Sequence, residues 1–335
     1  MTPQKVWTIL LSLVCLLIPA AQAEQPPLLG RADARILAMP FSPATRLLVV
    51  SPHPDDETIG AGGLIQRVLH AGGVVKVVFM TSGDGYPAGV TIARHVQHPH
   101  AQDYRAYGVQ RQTEALQALA TLGVPSKHVA FLGFPDGGLC PLQMTYPIDN
   151  GRNYLSPYTL EDRPPKADVV LPSIEYNGED LTKELTWILA HFHPTLVATV
   201  HPLDRHPDHC ATYHFVLEAL QALPHSDAAQ RPMLLTFLVH FGSWWPMFGK
   251  DSTEPQLHLP QQFPESEATW RSLALSPEEI QTKRQALLHY HSQMLVMAQY
   301  LLSFVRTNEL FAIAPQGLQD VPQPRPWPCC PRENR

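Results

Sequence analysis

Leu47-Leu-Val-Val-Ser-Pro-His-Pro-Asp-Asp-Glu-Thr-Ile-Gly-Ala-Gly-Gly63 reads as a short buried strand that breaks at a proline and continues as a helix. The run Leu47 to Val50 has strand length and no polar alternation, as expected of a strand in a sheet covered on both faces. The polar residues at the break are unusual: His53 and Asp56 are potential metal ligands three residues apart, at what reads as the start of a helix. A second stretch repeats the design. Behind the apolar run Leu196 to Val200 comes His206-Pro-Asp-His209, again with two ligand-type side chains three apart. Residues just beyond the carboxyl ends of strands line the crevice where ligands bind in an α/β sheet. The two clusters therefore read as two halves of one metal site.

The strand and helix pattern recurs along the chain. Leu47–Ser51, Val74–Thr81, Val129–Phe134, Leu196–Val200 and Leu234–Phe241 are apolar runs of strand length. Ile59–His70, Arg105–Leu122, Leu181–Phe192 and Ala211–Leu223 carry apolar residues at helical spacing, and Gly72-Gly73 and Gly123 end two of them. This succession predicts an α/β fold, an open and mostly parallel sheet with helices on both faces. Two stretches, Gly83–Asp103 and Asp136–Pro172, are rich in Gly, Pro, Tyr, His and Asn and read as long loops after the second and third strands. There they would serve as binding loops beside the metal, or as structural insertions. Ser276-Pro-Glu-Glu279 predicts a capped start to one long helix reaching Met297.

Composition narrows the class. The 335 residues are 44% hydrophobic and 16% charged, enough for a full core, and the net charge of −6 with no basic face argues against a general nucleic-acid partner. The first 23 residues combine Lys5, the apolar stretch Ile9 to Ile18 and Ala21-Gln-Ala23, the pattern of a secretory signal peptide cleaved after Ala23. Residues 24–320 are expected to form a single domain with a core at about 47–311, followed by a Pro- and Cys-containing tail, 321–335. No later apolar stretch is long enough to span a membrane, so the mature chain is expected in the periplasm or outside the cell. In an oxidising compartment Cys140, Cys210, Cys329 and Cys330 allow three complete pairings, among which the sequence does not choose.

Chemistry assigns the clusters. Zinc takes imidazole nitrogen and carboxylate oxygen, and a catalytic site keeps three protein ligands and one open position. His53, Asp56 and His209 supply that set, with other divalent metals as alternatives. Asp55 and His206 are then left beside the metal. Asp55 is expected to take a proton from water, and His206, as an imidazolium oriented by Asp208 or Asp204, to stabilise an oxyanion and protonate a leaving amine. Either cluster alone would read as a helix cap; two together, each behind a strand, point to a site.

Ser51-Pro-His-Pro-Asp-Asp-Glu57, followed by Gly60-Ala-Gly-Gly63, and His201-Pro-Leu-Asp-Arg-His-Pro-Asp-His209 resemble the paired signatures of the PIG-L or LmbE-like metal-dependent deacetylases. Arg111, Glu114, Phe131-Leu-Gly-Phe-Pro-Asp-Gly137, Lys283, Ser292-Gln293, Glu309 and Phe311 are similar to weaker family positions. The resemblance implies a Rossmann-like fold and zinc-dependent removal of the acetyl group from an N-acetylglucosamine-type sugar or glycoconjugate. It places His53, Asp56 and His209 as ligands, Asp55 as base and His206 as acid or oxyanion stabiliser. By the same likeness Arg111 would contact substrate, unless it pairs on the helix surface with Glu114. Asp136 would hold the site wall or touch sugar hydroxyls. Two other readings are another metal-dependent hydrolase, cutting an ester or phosphoester, and a secreted carbohydrate-binding protein without turnover. Trp244, Trp245 and Trp270 read as a sugar-stacking wall or as core aromatics.

Overall fold

The computed structural model describes residues 35–148, 151–223, 231–242, 244–248, 254–260, 263 and 269–314. The chain divides into two units, Met1–Ala32 and Asp33–Arg335, and every described residue lies in the second. The expected signal peptide and the tail with Cys329 and Cys330 lie outside the described residues. Cys140 and Cys210 are each disulfide-bonded.

Strands β1 (Arg35–Ile36), β2 (Arg46–Ser51), β3 (Val74–Thr81), β4 (Val129–Phe134), β5 (Leu196–Val200), β6 (Met233–Phe237), β7 (Thr269–Ala274) and β8 (Asn308–Ile313) form one sheet in the order β1-β7-β8-β6-β5-β2-β3-β4. The pairs from β4 through β6 are all parallel, whereas β8 runs antiparallel to both β6 and β7. The Leu47 run is two-sided as its composition requires. Leu47 and Val49 enter one apolar layer, Leu48 and Val50 the other. From β2 the chain first builds outward through β3 and β4, then returns to the far side of β2 to build β5 and β6. The order thus reverses between β2 and β5, and the crevice beyond their carboxyl ends is where such a sheet binds its ligand.

Helices α1 (Asp56–His70), α2 (Pro87–Arg94), α3 (Ala101–Thr121), α4 (Leu139–Met144), α5 (Gly178–Phe192), α6 (Pro207–Ala222), α7 (Pro277–Leu288) and α8 (His291–Leu302) complete the fold. Four expectations are corrected. The loop 83–103 contains α2, whose Val90 packs against Tyr104 and Tyr107; Gly and β-branched residues hide so short a helix from a propensity reading. The loop 136–172 contains α4. The fifth strand stops at Phe237, and residues 238–241 turn across the sheet end because the Asp204 carboxylate accepts the Val239 and His240 amides at 2.9 and 2.8 Å. The helix from Ser276 breaks at Tyr290, which is fully buried and donates its hydroxyl to Glu57, so α7 and α8 are separate. Ser276 does cap α7, its Oγ accepting the Glu279 amide at 3.2 Å.

Helix α1 carries the first cluster and is fixed by a buried ion pair. Lys283 Nζ lies 2.7 Å from Glu309 Oε1, and Glu309 also accepts the α1 amides of Gly63 and Leu64. Space is equally tight there, since a Cβ on Gly60 would stand 2.0 Å from the Phe237 ring. Lys283→Met leaves the Glu309 carboxylate buried without its cation, and is expected to cost about 3–5 kcal/mol of stability. Urea unfolding monitored by circular dichroism checks this; a loss near zero would show the pair to be dispensable.

Candidate metal centre

Three lone-pair atoms meet at the sheet end. His53 Nδ1 lies 3.2 Å from Asp56 Oδ2 and 3.2 Å from His209 Nε2, and His209 Nε2 lies 3.1 Å from Asp56 Oδ2. Metal bonds of about 2.1 Å at tetrahedral angles separate their ligand atoms by about 3.4 Å, so the triangle suits one face of such a site. Carboxylates sit behind each imidazole. His53 Nε2 is 3.0 Å from Asp136 Oδ1 and 3.3 Å from Asp208 Oδ2, and His209 Nδ1 is 3.2 Å from Asp204 Oδ2. Carboxylates so placed draw the ring protons outward and leave His53 Nδ1 and His209 Nε2 as bare acceptors. Such a crowd of acceptors calls for a cation. The titration of His209 carries the same demand, because burial opposes its imidazolium yet Asp204 and Asp56 raise it to about 9. The donor set fits a divalent metal.

Local folding explains how the triangle forms. Ser51 ends β2 and its hydroxyl donates to the His53 carbonyl at 2.9 Å, holding the turn. Asp55 occupies the N-cap position of α1 but makes no capping bond through its side chain, and its backbone sits at φ 126°, a conformation that costs a non-glycine residue free energy. The strain accompanies a carboxylate turned toward the cavity. At the second cluster His206 caps α6 conventionally, Nδ1 accepting the Asp208 amide at 3.3 Å, so its ring proton is on Nε2.

Several expected roles change. The Asp208 carboxylate accepts the Gly137 and Leu139 amides at 2.7 and 3.1 Å and backs His53; it does not orient His206. Asp204, through Oδ1, accepts the His206 backbone amide at 3.0 Å. Asp136 uses Oδ1 toward His53 and Oδ2 for the Gly85 amide at 2.7 Å, which makes it a wall of the site. Arg111 is buried and does not pair with Glu114, which bonds Ser292 and Gln110 instead. Its Nη2 reaches Asp55 Oδ2 at 3.1 Å and the Pro54 carbonyl, while Nη1 donates to the Gly83 carbonyl. His206 is held well below its ordinary pKa by burial and then by His53 and His209, so it stands as a neutral Nε2–H donor rather than an imidazolium.

A cavity of about 780 Å³ opens over the triangle, lined by His53, Asp55, Asp56, Arg111, Asp136 and His206 together with residues of both long loops, among them Tyr86 and Tyr158. Trp244 lines it and is 55% exposed, whereas Trp245 and Trp270 are core residues. His240 escaped the sequence reading because the expected fifth strand ran through it. One of its ring nitrogens lies within 4.8 Å of the Asp56 and His209 ligand atoms, and burial first, then His209, lowers it to about 4, so it is neutral. Its position just past a strand end was the available signal.

Residues 48–220 match the family model described as PIG-L: GlcNAc-PI de-N-acetylase, a span that includes both clusters. The chain is 30% identical over 189 residues to 1D-myo-inositol 2-acetamido-2-deoxy-alpha-D-glucopyranoside deacetylase 2 of Saccharopolyspora erythraea, covering 56% of this chain and 60% of that protein. It is 32% identical over 183 residues to the 1D-myo-inositol 2-acetamido-2-deoxy-alpha-D-glucopyranoside deacetylase of Mycobacterium sp. strain KMS, covering 52% and 50%. The chain thus spans between half and three-fifths of the length of these curated relatives. Among solved structures, N,N'-diacetylchitobiose deacetylase from Pyrococcus horikoshii superposes with a TM-score of 0.51 at 18% identity, covering 83% of this chain and 86% of that one. A deacetylase of the teicoplanin biosynthesis pathway superposes at 0.51 with 21% identity, covering 80% and 97%. At these identities the two structures establish the shared fold.

Proposed function

Because the chain belongs to the PIG-L (GlcNAc-PI de-N-acetylase) family, we propose that it is a metal-dependent deacetylase hydrolysing the N-acetyl amide of an N-acetylglucosamine-type sugar or glycoconjugate. The observation that carries this reading is the triangle of His53, Asp56 and His209 with an uncapped, strained Asp55 beside it at the floor of the cavity. The relatives are named for N-acetylated amino-sugar substrates, which agrees with it.

His53, Asp56 and His209 would hold the metal, for which zinc suits the nitrogen and oxygen donors. Bound there, a divalent cation supplies Lewis acidity toward the amide carbonyl and the attacking water. Asp55 takes the proton of that water. Burial pushes the Asp55 carboxyl up while the Arg111 guanidinium pulls it back, so it exchanges a proton more readily near neutral pH than an ordinary carboxylate. His206, neutral and lining the cavity, donates from Nε2–H to the oxyanion; the leaving nitrogen then receives its proton from Asp55.

The roles of Asp55 and Arg111 give a pH dependence with a definite sign. Asp55 must be ionised to act, so activity rises with pH through its elevated pKa. Removing the cation that opposes this elevation raises it further. In Arg111→Met the acid limb of kcat/KM is therefore expected to move to higher pH. A pH profile of both proteins checks this, and a limb that stays in place would mean that another group titrates.

Export of the mature chain through its signal peptide is part of the same proposal. The disulfide-bonded state of Cys140 and Cys210 supports it, as such bonds persist in oxidising compartments. Among the described residues no helix is long and apolar enough to cross a membrane. Acetate release from a panel of N-acetylglucosamine conjugates, with chelation and zinc restoration, tests the activity. No release by protein holding one zinc per chain would overturn the deacetylase.

A further inference from the structure

We propose that the cavity takes an amino sugar bearing an anionic group, a carboxylate or a phosphate ester, and that Arg205 is the residue that recognises it. This rests on the deacetylase reading, to which it adds a second recognition point on the same substrate.

Two cations line the cavity among the described residues, Arg111 and Arg205. Arg111 is committed to Asp55 and to two backbone carbonyls. Arg205 is different. It takes part in none of the ion pairs of the described residues. Its guanidinium carbon stands 4.7 Å over the Phe241 ring, and both residues line the cavity. Stacking on an aromatic face fixes the plane of a guanidinium while leaving its N–H edge open for a bidentate oxyanion.

The main chain beneath it is fixed as well. Arg205 N donates to the His240 carbonyl at 2.8 Å, Asp204 N to the His201 carbonyl at 2.9 Å, and His206 N to Asp204 Oδ1 at 3.0 Å. Arg205 is thereby tied to the same segment that backs His209 and presents His206, so its place relative to the reacting amide is set by the fold. The N-terminus of α6, two residues on, adds partial positive charge. Elsewhere the cavity floor is acidic, with Asp55, Asp56 and Asp136. With Arg111 and the bound metal balancing those carboxylates, Arg205 is the cation of the wall left for an anionic substituent.

The test uses zinc-loaded Asp55→Asn protein, whose turnover is expected to be about 10²–10⁴-fold slower, and calorimetry at low salt with N-acetylglucosamine, N-acetylglucosamine 6-phosphate and N-acetylmuramic acid. At least one anionic sugar is expected to bind about 10-fold tighter than N-acetylglucosamine, as a charge-assisted bidentate contact at an exposed wall allows. Adding Arg205→Met should reduce that preference to within about twofold, and raised salt should do the same in part. Preference for the 6-phosphate assigns a phosphate ester, and preference for the lactyl ether a carboxylate. Equal binding of all three sugars, or a preference that persists in Arg205→Met, would overturn the inference and leave the deacetylase untouched. Charge-selective binding dependent on Arg205, with no acetate released by the wild-type protein from any sugar, would overturn the deacetylase alone.

Discussion

Asp55→Asn is expected to retain one metal per chain and to lose about 10²–10⁴-fold in kcat, the range supplied by a positioned general base. The substitution keeps the size and the N-cap position of the side chain, and the three atoms of the ligand triangle belong to other residues. Metal content should therefore be unchanged. What disappears is the carboxylate that can accept a proton and pass it on, together with the partner of the Arg111 guanidinium at 3.1 Å. That guanidinium keeps its bonds to the Pro54 and Gly83 carbonyls, so the fold should survive. Metal analysis beside steady-state kinetics separates the alternatives. If the variant were as active as the wild type, the base would have to be sought elsewhere; if it lost its metal, Asp55 would be a ligand.

His209→Ala is expected to behave in the opposite way, losing the metal itself and with it all measurable activity. His209 is fully buried and supplies one corner of the triangle. Outer partners behave more mildly. Replacing Asp204, which stands behind His209 at 3.2 Å, by Asn should weaken metal binding by about 10–100-fold, the usual cost of losing a carboxylate behind a ligating imidazole. Loss of the ligand should exceed that. Competition with a chromogenic zinc chelator measures both variants, and a His209→Ala protein that binds zinc as tightly as the wild type would remove His209 from the ligand set.

Legibility in the sequence followed the range of the interactions concerned. The two clusters could be read because each lies in a short segment immediately after an apolar run, where local spacing sets which side chains leave the strand together. Strands β2 to β5 were read to their ends or within a residue of them, being buried on both faces and hence continuously apolar. The break at Tyr290 could not be read, since it depends on a hydroxyl reaching Glu57 from more than two hundred residues away. The end of β6 at Phe237 depends likewise on Asp204 capturing two amides of a distant segment. Strand β8 was missed because its role as the antiparallel partner of β6 and β7 is a property of the assembled sheet.

The sequence by itself determined the α/β alternation, the family, and the side chains able to meet at one metal, all of which follow from residue types at fixed short spacings. Only the tertiary structure decided what surrounds that meeting point. Asp136, Asp208 and Asp204 back the imidazoles, Arg111 holds Asp55, His206 is neutral, and His240 and Arg205 enter the cavity wall. Each of these depends on burial and on charges brought together across the sheet order β6-β5-β2-β3-β4. Electrostatic environment is a function of distance through space, which local sequence spacing does not encode.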